Sequence, residues 1–263
     1  MKNFLKAIGE LLLYIVLFFG AIIIAALTYT ALVMNGVVAD TDTTLEIAVV
    51  LSLLLAAFLI WLSFRIRKKK FLTEIHLVPV AKRVLLWMLL LGLGKQMLFS
   101  VTYSYIPWPE SWEEEYSKES EEAGDYRELK DWISAVVIAP VVEEVVFRGL
   151  LYTRLKKGMP VILAAFLSSL IFGVLHGSPI WAITVGIFSL LYPFVFERFQ
   201  SLLPCIVLHF ATNFSGMVLD MPLTDAQYWA LAVIGIAGGV YSLYQIFREG
   251  LRKGDLYEQK CVD

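Results

Sequence analysis

Histidine and cysteine are scarce in this chain, three and two among 263 residues, and each scarcity closes off a class of protein. Cys205 and Cys261 stand far apart, and the topology derived below puts both at the cytoplasmic face, where thiols stay reduced, so no disulfide framework is implied. No helix-borne His-Glu-x-x-His pair occurs, which removes the strongest sequence sign of a zinc peptidase. Ser168 and Ser169 lack a Gly-x-Ser-x-Gly context, which disfavours a serine nucleophile. Net charge is only -2, and no basic stripe interleaved with aromatics is present, so nucleic acid is not an expected partner. Internal repeats, low-complexity linkers and a soluble second domain are absent too, leaving one domain over residues 1–263.

What the chain has in excess is apolar surface. Hydrophobic residues make up 59% of it, against roughly 45 to 50% in soluble domains, and mean hydropathy is +0.71. Spanning a bilayer takes about 20 apolar residues. Windows near that length predict an all-α polytopic membrane protein with eight spans: Leu11 to Met34, Ile47 to Phe64, Val84 to Val101, Trp132 to Phe147, Val161 to His176, Ile180 to Phe196, Leu202 to Leu219 and Ala226 to Phe247. The fourth and fifth are short, which predicts oblique entry or packing inside the bundle. The first run exceeds a signal-peptide core and is read as a span.

Charge orients these spans. Lys2 and Lys6, Arg65 to Arg83, Arg148 to Lys157, Arg198 and Arg248 to Lys253 share one side, which is therefore cytoplasmic with both termini. The other side carries an acidic extracytoplasmic loop over residues 107–131, with ten acidic against three basic residues from Glu110 to Asp131; a cationic peptide is the ligand it suggests. Phe71 to Val80 is read as an interfacial amphipathic helix cut short by Pro79, with His76 at the surface. Glu10 sits at the interface, and Tyr152 and Arg154 at a cytoplasmic loop boundary. Gly92, Gly94, Gly235, Gly238 and Gly239 predict close helix contacts, and Lys95 snorkels or pairs with a glutamate.

Chemistry concentrates in residues 132–217. Glu143 and Glu144 lie within an apolar stretch, where one ionisable side chain costs about 2.5 to 3.5 kcal/mol. Two in succession call for a function. On a helix, Glu144 and Arg148 share a face, so they pair while Glu143 points elsewhere and stays free. Phe172 and His176, and His209 and Asn213, repeat that four-residue spacing on two further segments. Glu143 suits a general base acting on water, with His176 sharing that water. His209 and the Asn213 amide suit an oxyanion. Straight perpendicular spans would leave His176 near the outer end of its segment, away from Glu143 and His209, so tilted or re-entrant helices are expected.

The three clusters, Glu143-Glu144-Val-Val-Phe-Arg148-Gly, Phe172-Gly-Val-Leu-His176 and His209-Phe-Ala-Thr-Asn213, resemble the motifs of the CAAX-protease and bacteriocin-processing family (CPBP, or Abi), of type II CAAX prenyl endopeptidase kind. The resemblance implies an intramembrane protease with a membrane-embedded active-site cavity. It places water activation on Glu143 and His176 and the oxyanion on His209 and Asn213, with Glu144 and Arg148 orienting Glu143 and stabilising the helix end, and Phe172 packing in support. It implies a peptide or membrane-protein substrate, by analogy with prenyl-protein trimming, bacteriocin maturation and immunity, or peptide-signal processing. The chain's own Cys261-Val-Asp end is one residue short of a C-a-a-X box. Metal-free catalysis is favoured, with zinc on Glu143, His176 and His209 as the alternative. A non-proteolytic regulator that binds a membrane sensor kinase is the second functional reading, and an ion-coupled carrier, lacking paired internal repeats, the third.

Overall fold

The computed structural model describes residues 2–122, 129–219 and 221–250, and every regular element among them is helical. The Cys261 terminus, Asp220 and part of the acidic segment fall outside those residues.

Helices α1 (Lys2–Met34) and α2 (Asp42–Ile66) form a hairpin. Thr41 starts α2: its hydroxyl accepts from the Thr44 amide at 3.3 Å while the Thr44 hydroxyl accepts from the Thr41 amide at 3.1 Å, a reciprocal cap that satisfies two orphan donors. One turn, α3 (Phe71–Glu74), follows, then α4 (Lys82–Tyr103) and α5 (Glu110–Glu122). A continuous helical run comes next, with α6 (Leu129–Trp132), a π-helical stretch over Ile133–Ile138, α7 (Ala139–Glu144), a second π-helical stretch over Val145–Tyr152 and α8 (Thr153–Leu155). The chain closes with α9 (Val161–Val174), α10 (Pro179–Phe188), α11 (Leu191–Phe199), α12 (Leu203–Leu219) and α13 (Asp225–Gly250).

Five of these stretches are long and apolar enough to cross a membrane: Ile8–Met34, Ile47–Ile66, Lys82–Tyr103, Pro179–Phe199 and Asp225–Glu249. The chain is a membrane protein, and these five stretches coincide with five of the eight expected spans; the other three are shorter or differently wound. Helix α9 has 14 residues, which at 1.5 Å each reaches about 21 Å and falls short of a bilayer core of about 30 Å. Helix α12 has 17 residues, and the segment carrying the glutamates is partly π-wound. These elements pack on their neighbours, α12 on α4, α7 and α11, and α9 on α10.

Helix α4 lies against both α12 and α13. Glycine makes that possible, because a methyl on Gly92 would come 2.5 Å from Ala211 Cβ and 2.8 Å from the Leu208 carbonyl, and one on Gly94 would come 2.5 Å from the Gly235 carbonyl.

Two local expectations are corrected. Tyr152 and Arg154 are core residues, 0% and 2% exposed, because each finds a partner inside. Tyr152 donates to Glu197 Oε1 at 2.9 Å, and Arg154 bonds Glu74 at 2.8 Å and Glu10 at 3.3 Å, tying α8 to α3 and α1. His76 is half-buried rather than at the surface: its ring meets Phe196 edge-on at 5.6 Å, and its carbonyl accepts from the Leu202 amide at 2.9 Å. The interfacial helix around it is the single turn α3. The acidic segment contains a helix of its own, α5 over Glu110–Glu122, with acidic side chains in its first turn as the helix dipole favours. Tyr116 of α5 packs on Trp181 of α10 at 5.0 Å, and the Glu119 carboxylate accepts from the Ser178 amide at 2.8 Å.

Candidate active site

The site begins with the winding of the helix that carries it. Pro140 has no N–H to give the carbonyl of residue 136, and just before it the turn widens: the Ala139 amide reaches back five residues to the Ser134 carbonyl. Between the two π-helical stretches, the short α7 presents Glu143 and Glu144 toward α12.

The two carboxylates have different environments. Glu144 is fully buried, while the Glu143 side chain keeps 23% exposure and is the one a substrate or water can reach. Glu144 Oε1 accepts from Arg148 Nη1 at 2.9 Å, the four-residue pair expected from the sequence. The same oxygen lies 2.9 Å from His209 Nδ1. Beside a carboxylate that nitrogen carries the proton and donates, which leaves Nε2 for other work. His209 Nε2 is 3.7 Å from Glu143 Oε2, beyond hydrogen-bond range but close enough for one water to touch both groups.

Arg148 is held on three sides. Its guanidinium lies 4.4 Å from the ring centres of both Phe172 and Tyr192, and Nη2 donates to the Ser189 carbonyl at 3.3 Å. A cation between two aromatic faces gains about 2 kcal/mol or more per desolvated contact, which offsets part of the cost of burying it. Its Nε and the second oxygen of Glu144 are buried with no hydrogen-bond partner among the described residues. Tyr192 also packs on His209 at 5.3 Å and accepts a hydrogen bond from Lys95 at 2.9 Å.

His176 lies just beyond the end of α9, next to Gly177 at φ +94°. Its Nδ1 pairs with the Phe172 carbonyl at 2.7 Å, which turns the ring back along its helix. The Phe172 ring then touches His176 at 4.6 Å, His209 at 5.9 Å and Phe147 at 4.8 Å. His176 joins the cluster through Phe172 rather than by a direct hydrogen bond. Asn213, one turn beyond His209, donates from Nδ2 to the Ala135 carbonyl at 2.8 Å and so fastens α12 to the first π-helical stretch.

Glu143, Glu144, Arg148, Phe172 and His209 thus come together, with His176 and Asn213 at the edges. Two features differ from expectation. Glu144 orients His209 rather than Glu143, a pairing across 65 residues that helical spacing cannot reveal. Tyr192 also belongs to the cluster, and its only sequence sign is a hydroxyl among the apolar residues of α11. Among the described residues, no group of three His, Cys, Asp or Glu side chains is arranged to hold a metal ion, and Glu143, His176 and His209 do not form one.

Residues 127–215 match the family model for Rce1-like, type II CAAX prenyl endopeptidases, the family that the three motifs resemble. The matched segment contains all seven motif residues, from Glu143 to Asn213. No curated protein and no solved structure matches the chain.

Proposed function

We propose that this protein is a membrane-embedded endopeptidase of the CAAX type that hydrolyses a peptide bond by direct attack of water. One observation carries the reading: the accessible carboxylate of Glu143 faces His209 Nε2 at 3.7 Å, while the opposite nitrogen of that ring is anchored to the buried Glu144–Arg148 pair. A free base, an oriented imidazole and a fixed counter-charge are the parts that acyl transfer by water requires.

In this scheme Glu143 takes a proton from water as the water oxygen bonds to the scissile carbonyl carbon. His176 holds the same water from the other side. The oxyanion forms within reach of His209 Nε2 and the remaining Asn213 amide hydrogen. Because His209 Nδ1 donates to Glu144, a donor at Nε2 means an imidazolium, whose positive charge Glu144 balances. Collapse breaks the C–N bond, and Glu143 returns its proton to the leaving amine. No covalent enzyme intermediate and no metal step enter this route. The substrate is a peptide or a membrane-protein segment, with a prenylated peptide as the first probe.

The test compares wild type with Glu143→Ala, His176→Ala and His209→Ala, purified in detergent, on a quenched-fluorescent peptide library that includes prenylated members. Cleavage by wild type, unaffected by chelator and lost in all three variants, is the expected result. Full activity in Glu143→Ala refutes the mechanism, and chelator sensitivity refutes its metal-free form. A wild type that cleaves nothing moves the weight to the regulator reading.

A further inference from the structure

Helix α4 places one more charge against the cluster. Lys95 donates from Nζ to the Tyr192 hydroxyl at 2.9 Å, and the same ammonium lies 4.8 Å from the centre of the Tyr192 ring. Among the described residues this is its one hydrogen bond, and no carboxylate lies within ion-pair distance. An ammonium in a spanning helix without an ion-pair partner is costly and calls for a role. Tyr192 connects it to the site on two sides: one contact reaches His209, at 5.3 Å between rings, and the other reaches the Arg148 guanidinium, at 4.4 Å.

We infer that Lys95 and Tyr192 are positioning residues of the hydrolytic site, with Lys95 fixing, through the Tyr192 phenol, the ring face that packs on His209 and Arg148. The inference rests on the endopeptidase reading for its kinetic test, but the geometry it asserts exists with or without a substrate. Lys95 acts on the reacting groups through Tyr192 and touches none of them. Its loss therefore affects turnover rather than binding.

Three variants test this: Lys95→Met, Lys95→Arg and Tyr192→Phe. On a peptide that wild type cleaves and Glu143→Ala does not, Lys95→Met lowers kcat on the order of 10²-fold, with KM within about twofold, as expected for a displaced catalytic geometry. Lys95→Arg restores most of that loss. In the Tyr192→Phe background, Lys95→Met adds little further, because the hydroxyl through which it acts has gone. A rise in KM at constant kcat would make Lys95 a substrate ligand and overturn the inference, as would strict additivity of the two changes. Nitrogen NMR of histidine-labelled protein reads the same lever without any substrate. The His209 ring resonances shift in Lys95→Met and return in Lys95→Arg, and resonances that stay in place refute the inference even if no cleaved peptide is found. Tyr192→Phe keeps the ring packing and serves both readouts should Lys95→Met fail to fold.

Discussion

Replacing one member of the Glu144–Arg148 pair and then both separates what the pair does for stability from what it does for chemistry. Both side chains are fully buried, with 2.9 Å between Nη1 and Oε1. Glu144→Gln keeps the shape of the carboxylate but leaves Arg148 charged and unpaired, and removing one partner of such a pair costs about 3 to 5 kcal/mol. That corresponds to a factor of roughly 10² to 10⁴ in the folding equilibrium. Arg148→Met strands Glu144 by the same reasoning and also empties the gap between Phe172 and Tyr192. The double variant Glu144→Gln, Arg148→Met removes both charges, and an apolar replacement of a buried pair is often neutral or stabilising, so most of the lost stability returns. Cleavage does not return, because a neutral amide holds His209 Nδ1 without balancing an imidazolium; a loss of at least about tenfold is expected in all three proteins. Unfolding in mixed micelles with rising denaturing detergent reads the first quantity, and the fluorescent peptide reads the second. Single variants that lose less than about 1 kcal/mol would mean that the pair behaves as a solvated surface pair, and the account of the site would fail.

Helical periodicity shows which residues are neighbours on one helix, and the parts of the site legible in the sequence are of that kind. Glu144 pairs with Arg148 and Glu143 stays free, as a four-residue spacing requires. Phe172 meets His176 through the same spacing. The glycines of α4 and α13 meet as small residues in membrane helices do. What periodicity cannot supply is the partner across the bundle. The bond from Glu144 to His209 spans 65 residues, and that from Lys95 to Tyr192 spans 97. A hydropathy window also assumes regular α winding, so it does not reveal the π turns on either side of the glutamates. Arg154 escapes the sequence for a related reason: a cation counts toward a loop unless Glu10 and Glu74, distant in sequence, enclose it.

Two predictions concern the scaffold. A methyl at Gly94 meets the Gly235 carbonyl at 2.5 Å and Gly239 Cα at 2.8 Å, both backbone, so Gly94→Ala forces α4 and α13 apart and lowers stability by about 1 to 3 kcal/mol. Gly238→Ala meets only the flexible Leu90 side chain, at 3.3 Å, and costs less in the same unfolding assay; the reverse ranking would refute the packing argument. The second prediction is a pH dependence outside the spans. Burial first, and then the positive charges of Lys156, Arg154 and Lys157, hold the His76 ring's proton affinity below its ordinary value, with only Glu74 opposing. A depressed folded value means that the unfolded chain takes up a proton that the fold refuses. This contribution is therefore intact above the ordinary imidazole value of about 6.5 and is lost as pH falls through it toward the folded value. His76→Asn tolerates the φ of +55° there, gives up the ring contact with Phe196 at every pH, and flattens the acid-side slope of the unfolding midpoint. An unchanged slope between pH 7.5 and 5 in that variant would show that the acid sensitivity belongs to other groups.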